Sequence, residues 1–383
     1  MNTKEIGEIR RRVRRDRSNM TAIYGCYVND NKEIISTFRK STATMSENEA
    51  EKYFSLLKRS LSGGLGKNLI DITFKTSQVT SSPEHALLMD LRKTELKDDS
   101  FLDAFYKKIV ENLSLDGAYL ILLGCDNYDV PFKSKDDISQ ADNSGETYRY
   151  LLCAVCPVKQ TKPTLHYVPE EKSFHDGGIT NVVAAPELGF LFPAFDDRAT
   201  NIYNALYYTH SPKDNHEDFV ATVFHAPVPK PAQEQKNSFQ ALLTTSLEED
   251  CSLEVVQAVQ EELRQRMELH KESRVPEPLL VGKDDVKEVL ATCGVDEKKL
   301  AKFSVDYDGV FGYEAELHPK NIIDDKRMEI KTPDVSIKVA ADRSDLIETR
   351  IIGGVKYILI CADENVEVNG VPINIREKDL ATV

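Results

Sequence analysis

Two stretches of this chain, residues 119–123 and 148–158, are almost continuously apolar. A strand with one face in water alternates apolar and polar side chains, whereas an unbroken apolar run is typical of a strand covered on both faces. The two stretches therefore predict strands of a sheet that is covered on both sides. Any fold for this chain has to supply those two covering layers.

Helical and strand patterns are mixed throughout the first 225 residues. Apolar periodicity and the capping spacing of Ser46 and Glu49 predict helices, and apolar runs between turn residues predict strands. The helices cover 4–17, 46–61, 84–94 and 99–113, and further strands cover 22–28, 33–39, 69–74, 164–168, 180–185 and 188–192. The polar segment 127–147 is left open as an ordered excursion or a loop. This mixture predicts a mixed α/β domain over 1–225 with a basic N-terminal helix.

Proline-rich breaks divide the rest of the chain. Pro227-Val-Pro-Lys-Pro231 and Pro276-Glu-Pro278 interrupt the periodic patterns. The predicted helices cover 232–247, 252–272, 283–293 and 296–311, and the predicted strands cover 327–331, 335–339, 346–352, 355–361 and 365–375. Gly353-Gly354 and Asn369-Gly370 are typical hairpin turns. We expect an α+β protein of three parts: the mixed domain 1–225, a helical connector 226–275, and an α+β domain 276–383 ending in an antiparallel β-meander.

The composition argues against several classes of protein. No apolar run approaches the roughly 20 residues that span a bilayer, and the N-terminus lacks the apolar segment of a secretory signal. We therefore expect no membrane association. Seven scattered cysteines are typical of reduced thiols in a cytosol, and we expect a cytoplasmic protein. The net charge of −14 argues against a protein that binds nucleic acid over its whole surface, because most of that surface would repel phosphates.

Several runs of residues resemble one bacterial family. They are KEIGEIRRR at 4–12 with GCY at 25–27, LSGGLGKN at 61–68, LGFLFPAFDDR at 188–198, QKNSF at 235–239 and KTPDV at 331–335. The family is uncharacterised, is known from anaerobic gut and soil Firmicutes, and is filed as domain of unknown function 4317. Because the runs extend from end to end, the resemblance covers essentially the whole chain. It implies a cytoplasmic bacterial protein of this length and carries no activity over to any residue.

The glycine-rich run after the second predicted helix has two interpretations. A P-loop ends in Gly-Lys followed by a hydroxyl that reaches magnesium, whereas Asn68 stands at that position here. The favoured interpretation is a helix C-cap followed by a tight turn. The alternative is an anion-binding nest. That nest would use the amides of Gly63, Gly64 and Gly66 and the ammonium of Lys67.

Cysteines and histidines give no complete metal or redox motif. Cys153 and Cys156 have the spacing of a redox pair, but a lone pair cannot complete a zinc site, so buried core thiols are favoured. The eight histidines contain no His-Glu-x-x-His pattern. His175 is interpreted as part of a polar loop, with a role in a metal phosphohydrolase as the alternative. No metal ligand is assigned, and the cofactor is left unknown.

The block Asp196-Asp197-Arg198 is the strongest candidate for a catalytic site. Adjacent carboxylates at a strand end can bind a divalent cation or orient a water, and an arginine can clamp a phosphate or a carboxylate. The competing interpretation is a structural turn, in which an aspartate caps a helix and the arginine pairs with it. Both are kept, and the structural turn is favoured.

The first 17 residues are strongly basic. They hold seven Lys and Arg against three Asp and Glu, a net charge of +4, which leaves −18 on the rest of the chain. A basic helix can contact nucleic-acid phosphates, a protein partner or the acidic body of its own chain. The candidate contact residues are Arg10, Arg11, Arg14 and Arg15.

The favoured function is that of a non-enzymatic or regulatory protein that binds a partner through its basic helix and its helical middle. The partner is another protein or a second copy of the chain. The first alternative is a metal-assisted hydrolase of a phosphorylated substrate, with the metal on Asp196 and Asp197 and with Arg198 and His175 nearby. The second alternative is a nucleic-acid-associated protein, which the acidic body disfavours and which stays open.

Overall fold

The structure, a computed structural model, describes residues 1–133, 139–212, 214–226, 230–273, 275, 277–313, 315–362, 366–368 and 370–373, with the backbone alone for 132–133 and 139–146. The chain separates into two compact units. One consists of Met1–Pro231 with Pro276–Pro278, and the other of Ala232–Val275 with Leu279–Val383. Each unit has hydrophobic packing of its own.

The first unit mixes helices and strands along the chain. Its helices are α1 (Thr3–Arg12), α2 (Glu47–Arg59), α3 (Thr76–Ser81), α4 (Pro83–Lys93), α5 (Asp99–Asn112) and α6 (Glu217–Phe224). Its strands are β1 (Ala22–Val28), β2 (Ile34–Ser41), β3 (Leu69–Thr73), β4 (Tyr119–Lys133), β5 (Ser139–Gln160), β6 (Leu165–Val168), β7 (Ser173–Asp176), β8 (Asn181–Val183), β9 (Leu188–Phe192), β10 (Ala194–Asp196), β11 (Ala199–Asn201) and β12 (Asn204–Thr209).

One antiparallel sheet of eight strands organises this unit. Seven strands lie in the order β2-β1-β4-β5-β9-β12-β3, and β8 pairs with the end of β5. The predicted apolar strands are confirmed as β4 and β5, which lie inside this order. Both strands continue past their apolar stretches, so residues 127–133 and 139–147 of the segment left open above are strand. Residues 134–138 of that segment lie outside the described residues.

Helices cover both faces of the sheet. Side chains alternate along β5, so successive residues enter different cores. One core contains Leu151, Cys153 and Val155 together with side chains of α4, α5 and α6. The other core contains Leu152, Ala154 and Cys156 together with side chains of α1 and α2. Burial on both sides is the physical reason for the unbroken apolar runs.

Several local features differ from the predictions. Helix α1 ends at Arg12 instead of residue 17, because Val13 leaves the helical conformation with φ −68° and ψ 74°. No element is predicted where α3, α6, β10, β11 and β12 lie. His175 lies in strand β7 and not in a polar loop, since β7 pairs with β6. The rings of Tyr167 and Phe174 support that pairing with their centroids 5.3 Å apart.

The second unit consists of packed helices followed by hairpins. Its α-helices are α7 (Ala232–Leu247), α8 (Leu253–Ser273), α9 (Lys283–Thr292) and α10 (Glu297–Phe311). Its strands pair antiparallel as β13 (Arg327–Lys331) with β14 (Ser336–Ala340), β15 (Ile347–Ile352) with β16 (Val355–Ile360), and β17 (Val366–Val368) with β18 (Val371–Ile373). The predicted α+β fold with C-terminal hairpins is confirmed. Within the described ranges, no helix has both the length and the apolar character needed to cross a membrane.

Candidate functional site

The Asp196-Asp197-Arg198 block forms the turn of a small hairpin. Asp196 of β10 pairs with Ala199 of β11, so Asp197 and Arg198 are the two turn residues. Both have positive φ, 49° and 63°, a conformation for which Asn-Gly is the preferred pair. For an ordinary side chain such as that of arginine, the left-handed conformation costs about 1–2 kcal/mol. The turn therefore keeps an arginine where glycine would be less strained.

Asp196 is held by contacts within its own unit. Its Oδ1 lies 2.5 Å from the α-ammonium of Met1. Its Oδ2 accepts hydrogen bonds from the side-chain amides of Asn201 at 2.8 Å and Asn204 at 3.4 Å. The same ammonium lies 3.4 Å from Oδ1 of Asp71 in β3. These contacts engage both carboxylate oxygens of Asp196 and tie the hairpin to the start of α1.

Arg198 reaches across to α1. Its Nη1 lies 2.5 Å from Oε2 of Glu8, and its Nη2 donates to the carbonyl of Pro131 at 3.0 Å. The other carboxylate oxygen of Glu8 accepts the hydroxyl of Tyr128 at 2.6 Å. The Arg198 and Glu8 side chains are 24% and 19% exposed. Partial shielding from water makes this pair stronger than the average surface ion pair.

The contacts continue from Tyr128 into the sheet. The Arg12 guanidinium lies 4.2 Å from the centre of the Tyr128 ring, and its Nη2 lies 3.5 Å from Oδ2 of Asp126. Asp126 is fully buried and accepts hydrogen bonds from the Tyr150 hydroxyl at 2.8 Å and the Asn19 amide at 2.7 Å. We call the side chains that these contacts join the polar network: Arg198, Glu8, Tyr128, Arg12 and Asp126.

Burial governs the ionisation of this network. It raises the pKa of Asp126, against the opposing effect of the Arg12 charge. It also raises the pKa of Tyr128 to about 12, and the hydrogen bond to Glu8 adds to that rise. A Tyr128 hydroxyl that keeps its proton remains a hydrogen-bond donor to Glu8 throughout the neutral pH range.

Glu5 is a buried carboxyl group in the first turn of α1. It forms a capping box with Asn2, whose backbone amide donates to Glu5 Oε2 at 2.7 Å while the Glu5 amide donates to Asn2 Oδ1 at 3.1 Å. Burial raises the pKa of Glu5 against the hydrogen bond from Asn2 and the positive charge of the α-ammonium, and the negative charges of Asp196 and Asp197 raise it further. The block and the first turn of α1 thus influence each other electrostatically.

The predicted site residues are only partly brought together. Asp196 contacts Met1, two residues before α1, and Arg198 contacts Glu8 within α1, so the block meets the basic helix. His175 lies in the separate ribbon of β6 and β7, where its Nε2 is 2.8 Å from Oε2 of Glu171. Among the described residues, no three His, Cys, Asp or Glu side chains are grouped so that they could hold a metal ion.

Hydrogen bonds within the glycine-rich turn engage one of the three amides of the candidate nest, that of Gly66, and the amides of the residues after it. The amides of residues 67–69 donate to the carbonyl of Gly64 at 3.0–3.1 Å, and the Gly66 amide also donates within the turn, at 2.7 Å. Gly63 has a φ of 100°, and a Cβ there would lie 2.5 Å from Cβ of Asn68. The Asn68 side chain donates to two carbonyl groups at the end of β12, both at 3.0 Å. These contacts favour a structural turn over an anion nest.

The arginines of α1 divide between two flanks of the helix. With 3.6 residues per turn, Glu8 and Arg12 share one flank and Arg10 lies on the opposite flank. Arg10 and Arg14 act on Lys58 of α2, whose pKa is lowered by burial and then by these two positive charges. Nε of Arg10 is buried and has no hydrogen-bond partner among the described residues.

We call four arginines of the N-terminal segment and one lysine of α2 the basic surface: Arg10, Arg11, Arg14, Arg15 and Lys58. Within the described parts of the chain, none of these side chains forms an ion pair with a carboxylate. Arg12 and Arg198, by contrast, are paired in the polar network. Helix α1 therefore carries the paired Arg12 on the flank of Glu8 and the unpaired Arg10 on the opposite flank.

Cys153 and Cys156 lie in different cores, on opposite faces of β5. Burial raises the pKa of Cys156 to about 12 and that of Cys153 well above its usual range. Because the thiolate is the reactive form of cysteine, both thiols behave as small apolar side chains. This environment is the one expected for buried core cysteines.

Comparison with known proteins extends the resemblance seen in the short runs. None of the curated proteins matches the chain. A family model described as "Domain of unknown function (DUF4317)" matches residues 1–371 of the 383. This match takes in every run on which the resemblance rests, from 4–12 to 331–335, and nearly all of both units. The chain belongs to the DUF4317 family.

Proposed function

We propose that this protein is a non-enzymatic binding protein and that its basic surface docks an acidic segment of a protein partner. The observation that carries the proposal is the contrast in how the cations are paired. Arg12 and Arg198 have carboxylate partners, whereas the basic surface has none among the described residues. In a chain with a net charge of −14, these cations of α1, of the residues just after it and of α2 are left without a carboxylate partner in the described ranges.

Like charges crowd one another at the basic surface. The lowered pKa of Lys58 expresses this crowding, because burial and the charges of Arg14 and Arg10 all oppose its positive charge. A partner carboxylate would reverse the repulsion. This effect favours the binding of an anionic group.

The distribution of charge favours a protein partner over a nucleic acid. The residues after the first 17 carry a net charge of −18. A polynucleotide long enough to extend beyond the basic surface would meet that negative potential at every further phosphate. A short acidic segment of a protein places its charges on the cations alone. The proposed ligand is therefore a run of several Asp or Glu residues.

The contacts of the block favour binding over hydrolysis. A hydrolase would need Asp196 and Asp197 open to a metal and Arg198 open to a phosphate. Asp196 is engaged by Met1 and two asparagine amides, and Arg198 is engaged by Glu8. These internal contacts support the interpretation of the block as a structural turn.

The proposal is tested by the binding of a fluorescein-labelled deca-glutamate peptide, followed by fluorescence anisotropy. We expect binding to the full chain that weakens as salt rises from about 25 to about 200 mM. The double variant Arg10→Glu/Arg14→Glu should weaken binding by at least about tenfold. The matched control is Lys93→Glu/Lys107→Glu, which changes the net charge equally on helices that cover the other face of the sheet, and it should stay within about twofold.

Two outcomes would overturn this function. Equal loss of binding in both double variants would mean that net charge, and not the basic surface, attracts the peptide. Tighter binding of a single-stranded oligothymidylate of the same charge, lost in Arg10→Glu/Arg14→Glu, would replace the protein partner by a nucleic acid.

A further inference from the structure

We propose that Arg198 is a positioning residue, which holds α1 through Glu8 and so keeps the basic surface in place. This inference rests on the proposed function for its binding consequence and on geometry alone for its structural consequence. It gives the Asp196-Asp197-Arg198 block a role other than catalysis. The block would set the orientation of the helix that carries the cations.

The first step of the argument is the conformation of the turn. Asp197 and Arg198 both have positive φ in a two-residue hairpin turn, where glycine or asparagine at the second position would remove strain. A strained residue persists when the surrounding structure over-determines it. At Arg198 the surrounding contacts are those of its guanidinium with Glu8 and with the Pro131 carbonyl.

The second step is the double use of Glu8. Its two carboxylate oxygens take different partners, Arg198 on one side and the Tyr128 hydroxyl on the other. One flank of α1 is thereby fixed both to the β10–β11 hairpin and to β4. Arg12, on the same flank, adds a contact with the Tyr128 ring and with buried Asp126.

The third step links this flank to the basic surface. A helix moves as a rigid element over a few turns because its backbone hydrogen bonds fix each residue relative to the next. Fixing the flank of Glu8 and Arg12 therefore fixes Arg10 on the opposite flank. It also keeps Arg10 near Lys58 of α2, whose pKa is lowered by the charges of Arg10 and Arg14 in addition to burial.

Two interpretations of Arg198 predict different effects of Arg198→Gly on the protection of α1. If Arg198 serves only the turn, Arg198→Gly relieves strain and leaves α1 as protected as before. If Arg198 positions α1, the same change frees the helix even though the turn improves. Arg198→Lys keeps a positive charge that can reach Glu8 and so should restore part of the wild-type behaviour.

The experiment measures amide hydrogen exchange by mass spectrometry in the full chain, comparing a peptide that covers α1 with one that covers α5. We expect Arg198→Gly to speed exchange in α1 by about fivefold or more and to leave α5 unchanged. It should also weaken deca-glutamate binding by about threefold or more, because the cations are no longer held together. Arg198→Lys should recover part of both effects.

Unchanged or slower exchange in α1 of Arg198→Gly would overturn the inference, as would equal acceleration in α1 and α5. These outcomes do not decide whether the proposed function is correct. If the wild-type chain does not bind deca-glutamate, the proposed function fails while the exchange measurement still decides whether Arg198 positions α1. If exchange is unaffected but Arg10→Glu/Arg14→Glu abolishes binding, the inference fails and the proposed function stands.

Discussion

At the scale of single residues, Glu5 makes the stability of the folded chain depend on pH. Its pKa is raised on folding, chiefly by burial, so the folded chain binds a proton there more readily than the unfolded chain. The contribution of Glu5 to stability is fully present below its ordinary pKa of 4.5. It is lost as the pH rises through the raised value, where a buried negative charge faces Asp196 and Asp197.

We predict that Glu5→Gln stabilises the chain at pH 7, because it removes the buried charge while its amide oxygen can still accept the Asn2 amide in the capping box. The expected rise in melting temperature is about 1–3 °C at pH 7, shrinking or reversing near pH 4. Thermal unfolding followed by circular dichroism across this pH range is the measurement. Exposed Glu51→Gln in α2 is the control and should show no comparable trend; a lower melting temperature for Glu5→Gln at pH 7 would contradict the argument.

At the scale of elements, the sheet depends on a close approach between β5 and β9. A Cβ at Gly189 would lie 2.3 Å from the carbonyl oxygen of Cys153 and 2.8 Å from Cβ of Ser60. The first of these atoms belongs to the backbone of the neighbouring strand and cannot swing aside as a flexible side chain can. Gly189 is therefore required by the spacing of the strands and the helix end packed over them.

Gly189→Ala should lower the free energy of unfolding by about 3 kcal/mol or more, because inserting a methyl group here forces the strands apart. The matched control is Gly64→Ala, where the nearest side-chain atom to the new Cβ is 3.8 Å away on Lys67. It should change the free energy by less than about 1 kcal/mol. Urea denaturation of both variants is the test, and similar losses in the two would show that the close approach is not the cause.

At the scale of the whole molecule, the hydrophobic cores follow the two units. The two cores on either face of the large sheet are built from residues of Met1–Pro231, and the third core is built from residues between Phe239 and Ile323. A core that is complete within one unit gives that unit its own cooperative stability.

We predict that residues 1–231 fold when produced alone, since both covering layers of the sheet lie within them. Differential scanning calorimetry of the full chain should show two transitions, one of which the fragment reproduces within about 5 °C. The matching fragment 232–383 serves as the control for the other transition. A single transition in the full chain, with no cooperative unfolding in either fragment, would show that neither unit is independent.

The sequence predicted those features that depend on neighbouring residues. The apolar runs of β4 and β5, the capping signal at Ser46 and the Gly353-Gly354 turn all have local physical causes. Strand β7 could not be recognised locally, because its four residues are exposed and their pairing with β6 defines them.

The contact between Arg198 and Glu8 joins residues far apart in the chain, so no local pattern could identify the two residues as partners. One signal was nevertheless present. Glu5 and Glu8 stand three apart on an arginine-rich helix, which places two acids on one flank and marks that flank for contact with a cation.

The order of the strands in the large sheet differs from the order in which the ribosome makes them. Strand β3 ends at Thr73, yet the strand it pairs with, β12, begins only at Asn204. At about 5–20 residues per second, a ribosome needs on the order of ten seconds to produce the segment between them. Throughout that interval the nascent chain carries an apolar strand whose partner does not yet exist. Strand β12 is the last strand of the large sheet to be made, and it pairs with one of the first, so the edge strand β3 gains its neighbour only when the whole sheet has been synthesised.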